Sequence, residues 1–192
     1  MTAASRQALL DLLRKRSLRR GDFVLASGKR SNIYLDCRQT TLTAKGHALV
    51  GELLLSQIRQ AEKDGQGPFA AIGGVELGAV PIASAIACAS NTQPPRLDTF
   101  VVRKQVKDHG TAAPIEGVGA IRQSSNVVLI EDVVTSGGSL LRALDVVQAA
   151  GLRVGLALAL VDRGEGGVAA LAQRGVKCQA LFTLREIVEV AT

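Results

Sequence analysis

Two adjacent carboxylates, Glu131 and Asp132, follow the apolar run Val127 to Ile130 and lead, after Val133 and Val134, into the turn Thr135-Ser136-Gly137-Gly138-Ser139. A carboxylate pair can accept hydrogen bonds from two neighbouring hydroxyls of a ribose. The small residues open into a helix-like run, Leu140 to Gln148. A helix start offers unpaired N–H groups and a positive dipole end, and both attract phosphate. Gly137 and Gly138 let the backbone curl and let an anion approach without a Cβ in the way. The chemistry within reach is recognition of a phosphorylated sugar. Neither Gly-x-x-x-x-Gly-Lys-Ser/Thr nor an early Gly-x-Gly-x-x-Gly occurs, so this is not a P-loop or a dinucleotide fingerprint. The bland alternative is an acidic pair that merely caps the turn.

A second candidate is the segment Arg103 to Gly117, which carries Arg103, Lys104, Lys107 and His109 and ends in small residues, proline and glycine. It has neither helical nor strand periodicity. A loop of that length inside a compact domain is uncommon unless it is functional or disordered. Such loops commonly close over a substrate. Taken singly, the two lysines would be solvated loop charges. The other histidine, His47, falls in a helical stretch without a motif around it.

The elements that must position these residues alternate in type. Residues 3–16 form an amphipathic helical pattern. Short strands at Phe23 to Ala26 and Ile33 to Cys37 flank a turn, and Thr43 is placed to cap a helix running to about Ala61. Apolar strands follow at Phe69 to Ile72, Leu97 to Val102, Val127 onward, Arg153 to Val161 and Gln179 to Thr183. Helical runs separate them, including Ala79 to Ser90. Continuously apolar strands separated by helices predict an α/β fold with a mainly parallel sheet covered on both faces. Ligands in such sheets sit beyond the carboxyl ends of the strands, where Gly73-Gly74 and Thr135 to Ser139 are expected.

At 192 residues the chain fits one domain spanning 1–192 with a real core. No apolar run is long enough to span a bilayer, and Met1 to Arg20 lacks the apolar segment of a signal peptide. Cys37, Cys88 and Cys178 are far apart with no Cys-x-x-Cys pair, which argues against zinc and for a reducing, cytoplasmic location. The net charge of +6 suits anionic ligands, while aromatic content of 3% and dispersed basic residues argue against nucleic acid.

Val127 to Ser139 resembles the phosphoribosyl pyrophosphate signature of the type I phosphoribosyltransferases. Three more segments are similar to the orotate phosphoribosyltransferase family within that class: Phe23 to Asp36, the loop Arg103-Lys-x-x-Lys-Asp-His-Gly110, and Leu160-Val-Asp-Arg163. The resemblance implies the type I fold, a twisted sheet flanked by helices, with an N-terminal hood at about 1–40 that the C-terminus joins, a core at about 41–180 and a flexible catalytic loop. It implies transfer of a phosphoribosyl group to orotate with Mg²⁺, in a homodimer whose loops reach into the neighbouring site. Glu131 and Asp132 would hold the ribose hydroxyls, and the backbone and side chains of Val133, Val134, Thr135, Ser136, Gly137, Gly138 and Ser139 the 5′-phosphate side. Arg103, Lys104, Lys107 and His109 would bind pyrophosphate, and Lys104, Lys107, His109 and Asp132 would act in catalysis. Thr135, Arg163 and Tyr34 would contact orotate. Gly73 to Glu76 would form the pyrophosphate-side loop, where a non-proline cis peptide is implied. No protein ligand to the metal is assigned.

Two departures stand out. Some members of the family have lysine where this chain has Ala26, and lysine in the pyrophosphate-side loop where it has Leu77; Lys29 and Arg30 are candidates to compensate. Two rival readings remain, a transferase for a purine base and a non-catalytic sensor of phosphoribosyl pyrophosphate.

Overall fold

The computed structural model describes residues 2–24, 30–104 and 113–189. Helix α1 (Ala3–Leu12) starts at a Thr2 cap and runs on through a π-helical turn to Ser17. Strands β1 (Leu18–Val24) and β2 (Arg30–Leu35) form a separate antiparallel ribbon. A short helix α2 (Arg38–Thr41) and the long α3 (Ala44–Lys63) follow. Thr43 caps α3 as its position predicts, its hydroxyl accepting the Gly46 N–H at 3.1 Å.

The core then alternates: β3 (Ala71–Val75), α4 (Ala79–Thr92), β4 (Asp98–Val102), β5 (Ile115–Glu116), β6 (Asn126–Val134), α5 (Gly138–Ala149), β7 (Arg153–Asp162), α6 (Gly167–Gln173), β8 (Cys178–Thr183) and α7 (Leu184–Val188). The sheet order is β5-β4-β3-β6-β7-β8, parallel except for β5. Both faces are buried, and β6 shows it residue by residue. Val128 and Ile130 join Leu9, Leu13, Ile58 and Ile86 on one side. Val127 and Leu129 join Leu140, Leu144, Val147 and Leu171 on the other. This is why the strands read as unbroken apolar runs rather than as alternation.

The ribbon and the C-terminus are tied together. Arg14 Nη2 donates to the Glu186 carbonyl at 2.7 Å, Arg20 Nη2 to that of Val188 at 3.2 Å, and Arg6 pairs with Glu186 at 2.5 Å. Among the described residues no helix is long and apolar enough to cross a membrane.

Three local expectations are corrected. Gly73 and Gly74 lie inside β3 rather than beyond it, because neighbouring strands leave no room for side chains. A Cβ would meet Phe100 O at 2.2 Å from Gly73 and Ile130 O at 2.0 Å from Gly74. Glu131 and Asp132 lie within β6, which continues to Val134 through pairing with β7. The ends of the segment from Arg103 to Gly117 pair with the sheet and with each other: Arg103 N–H donates to Pro114 O at 2.9 Å, and Ile115–Glu116 pairs with β4. Only tertiary pairing makes a strand of two residues.

Candidate active site

The strand order reverses between β3 and β6, with β4 beyond β3 and β7 beyond β6. In open α/β sheets the crevice at such a reversal is where ligands bind. Two turns face each other across it. The one after β3 runs through Glu76, Leu77 and Gly78, with a cis peptide between Glu76 and Leu77. The other follows β6 and leads into α5. The first turn comes close against β6, for a Cβ on Gly78 would lie 2.5 Å from Asp132 Cγ.

The start of α5, like those of α4 and α6, has no side-chain cap. Thr43 and Thr183 cap α3 and α7 with side-chain hydroxyls, whereas α5 begins at Gly137, with φ 84° and no side-chain cap. Gly137 is needed there because that backbone conformation disfavours a side chain, and Gly167 lies 3.1 Å from where its Cβ would be. Thr135 O accepts the Gly167 N–H at 2.8 Å, pinning the turn to α6. With neither a side-chain cap nor an acidic residue in the first turn, that end is open to an anion.

A cavity of about 240 Å³ lies between the two turns, with Tyr34, Arg38, Glu76, Lys104, Asp132 and Arg142 on its wall. It shares Glu131, Val133 and Ser139 with a small hollow of about 20 Å³ over Val134, Thr135, Gly137 and Gly138. Glu131 is 8% exposed. Burial, and then the Asp132 charge, push its carboxyl up from 4.5 to about 8, against the pull of Arg142. Asp132 Oδ1 accepts the Val133 N–H at 2.9 Å.

A carboxyl whose pKa is higher folded than unfolded binds more protons in the folded state. Stability from this group is therefore present at low pH and lost as pH rises from 4.5 through about 8. The melting temperature of the free protein is expected to fall by several degrees between about pH 5 and pH 8, and Glu131→Gln to flatten that fall. Thermal melts at matched ionic strength check it; parallel wild-type and variant curves would contradict it.

The phosphoribosyl transferase domain family matches residues 40–186. The orotate phosphoribosyltransferase of Rhodopirellula baltica is 42% identical over 178 residues, 93% of this chain and 91% of its own length. The chain belongs to the orotate phosphoribosyltransferase family. That of Sorangium cellulosum is 40% identical over 97% of this chain and 94% of its own. The crystal structure of the Mycobacterium tuberculosis orotate phosphoribosyltransferase in complex with 5-phospho-α-D-ribosyl 1-diphosphate superposes with a TM-score of 0.73 at 30% identity, covering 97% of this chain and 93% of that one.

Within this family's fold the residues singled out by sequence are distributed unevenly. Glu131, Asp132, Val133, Ser139, Tyr34 and Lys104 meet at the larger cavity, and Thr135, Gly137 and Gly138 at the hollow. Tyr34 stacks on Phe23, ring centroids 5.4 Å apart, and stays 36% exposed. Lys104 donates its backbone N–H to Glu76 Oε1 at 2.9 Å, tying the base of the loop to the turn after β3. Arg103 is held by Glu116 at 2.7 Å and is not on the cavity wall. Arg163 sits beside the end of β6, its N–H on Val134 O at 3.0 Å and its Nε on Glu165 at 2.8 Å, also off that wall. Ser136 is exposed on the turn. Lys107, His109, Ala26 and Lys29 lie outside the described residues. Arg30 is turned to Asp22 on the ribbon, its side chain 80% exposed.

Asp36, Arg38 and Arg142 are wall residues that the sequence reading did not single out. A signal for Arg142 was available: it lies one helical turn beyond Gly138, on the face that looks back towards the carboxylates. For Arg38 the signal was the spacing Asp-x-Arg at the end of the N-terminal segment.

Proposed function

We propose that the protein transfers the 5-phosphoribosyl group from phosphoribosyl pyrophosphate to orotate, giving orotidine 5′-monophosphate and pyrophosphate in pyrimidine synthesis. The observation that carries this reading is the run of β6 into α5. It sets an acidic pair beside an uncapped helix start at the sheet's reversal point, in a chain of this family.

In the reaction the bond from the anomeric carbon to the pyrophosphate oxygen breaks and its electron pair leaves with the pyrophosphate. The N1 lone pair of orotate forms the new bond. Positive charge builds on the sugar and negative charge on the leaving group. Glu131 and Asp132 hold the ribose hydroxyls, and Asp132 places its charge near the developing cation. The N–H groups at the start of α5 hold the 5′-phosphate. Lys104, with Lys107 and His109 of the same loop, stabilises the leaving charge, which counts for most where water is excluded. Orotate is ionised at its carboxylate, and the proton on N1 leaves as the new bond forms, to the departing pyrophosphate or to water. Arg163, Thr135 and Tyr34 would contact the base, and a guanidinium suits the orotate carboxylate.

Among the described residues no group of three carboxylate, imidazole or thiolate side chains could hold a metal, so Mg²⁺ would be held mainly by phosphate oxygens and water, with Asp132 as the nearest hard donor on the wall. It would neutralise charge on the leaving group.

A homodimer is part of the reading. An apolar groove of about 800 Å³ between α3 and α4, flanked by Leu42 at 67% and Leu77 at 58% exposure, supports it. The groove adjoins the turn after β3 at Leu77. Three cysteines without disulfides agree with a cytoplasmic location.

The test is depletion of orotate with and without phosphoribosyl pyrophosphate and Mg²⁺. Loss of orotate only when both are present is the expected result. Turnover of hypoxanthine or xanthine in place of orotate would overturn the assignment, and binding of phosphoribosyl pyrophosphate without turnover of any base would make the protein a sensor.

A further inference from the structure

We propose that Arg38, held by Asp36, is the pyrophosphate-side cation of this site, supplying the charge that Leu77 cannot. The inference rests on the transferase reading above and adds a substrate-contacting residue to it.

Arg38 opens α2 directly after the ribbon and stands on the wall of the 240 Å³ cavity, together with Glu76, Gly78 and Lys104. Its fork is fixed from one side. Asp36 Oδ1 accepts Nε at 2.8 Å and Oδ2 accepts Nη2 at 3.2 Å. The Arg38 backbone N–H and Gln39 Nε2 each donate to the same carboxylate at 3.2 Å. Asp36 is itself sheltered, its side chain 13% exposed against 42% for Arg38. The guanidinium beside it holds the Asp36 carboxyl below its ordinary range, so the pair stays ionised. A guanidinium carries five donors in a rigid plane. Asp36 engages Nε and Nη2, and among the described residues Nη1 has no hydrogen-bond partner. A half-satisfied, pre-oriented fork on a cavity wall is the arrangement that binds phosphate oxygens well.

The other cations do not fill this place. Leu77 is apolar and 58% exposed, on the edge of the groove between α3 and α4. Arg30 is occupied by Asp22. Arg142 comes from α5 and acts on Glu131. Arg38 comes instead from the N-terminal segment and lines the cavity with Glu76 of the turn after β3 and Lys104 at the base of the loop. A diphosphate between those segments would meet Arg38 from one direction and Lys104 from another.

The experiment measures inorganic pyrophosphate and ribose 5-phosphate binding by calorimetry in the presence of Mg²⁺, with steady-state kinetics for phosphoribosyl pyrophosphate. Arg38→Ala is expected to weaken pyrophosphate binding about tenfold or more while ribose 5-phosphate affinity stays within about twofold. Arg38→Lys should recover part of the loss, and so should Leu77→Lys placed in the Arg38→Ala background. If Arg38→Ala also lowers the melting temperature, Arg38→Gln carries the same measurement with the stem retained. Unchanged pyrophosphate affinity, an equal loss for both ligands, or a loss confined to orotate would each overturn the proposal. Failure of the wild type to turn over orotate would overturn the base assignment, while the pyrophosphate comparison still decides the role of Arg38.

Discussion

Asp132→Ala is expected to reduce turnover by about 10²–10³ while leaving the melting temperature nearly unchanged. The side chain is half-buried at the cavity wall and its bonds are local, to the Val133 N–H and the neighbouring Glu131 carboxyl, so little packing depends on it. What disappears is an acceptor for a ribose hydroxyl and a negative charge next to the carbon that becomes cationic. Its removal also relieves the repulsion that helps to push Glu131 up, so the remaining carboxyl should ionise at lower pH. The same variant tests whether sites are shared. Lys107→Ala should be about as inactive as Asp132→Ala, since each removes charge stabilisation from the same transition state. Refolding the two together should restore about a quarter of wild-type activity if each site takes its loop from the other subunit, because half the dimers then hold one intact site. A mixture no more active than its components would rule out that exchange.

Gly74→Ala is expected to cost at least about 3 kcal/mol of stability, more than an ordinary overpacked core residue. The added Cβ would lie 2.0 Å from the Ile130 carbonyl and 2.7 Å from the Ala79 Cβ, so β3 would have to part from β6. Those two strands carry the two turns of the site. Activity should therefore fall with stability rather than survive it. Gly119→Ala is the control, since a Cβ there has nothing within 4 Å and should be near neutral. Urea unfolding of both variants checks the contrast. A Gly74→Ala midpoint within error of wild type would mean that the sheet at this point yields more easily than its packing implies.

The sequence was legible where local chemistry and tertiary demand agree. The Thr43 cap, the apolar strands, and the acidic pair leading into a glycine turn all depend on neighbours along the chain. Reading failed where distant segments decide. Gly73 and Gly74 look like a loop in sequence, yet they are strand residues, because Phe100 O and Ile130 O press against them. Ile115–Glu116 has no strand pattern of its own and is a strand only because β4 offers an edge. Arg38 is not singled out by the sequence. Its importance comes from the ribbon carrying it to a wall built by β3, β6 and α5.

The sequence by itself determined the class of fold, the family resemblance and the kind of ligand, since periodicity, carboxylate pairs and glycine turns are local and survive without three-dimensional context. Only the tertiary structure decided which charges meet. The reversal of strand order brings the turn after β3 against Asp132, and burial raises Glu131. Arg103, Arg30 and Arg163 are drawn into pairs with Glu116, Asp22 and Glu165, while Arg38 keeps one edge of its guanidinium free. Which of these charges reach the cavity is set by how the elements pack, even where the partner is a near neighbour along the chain.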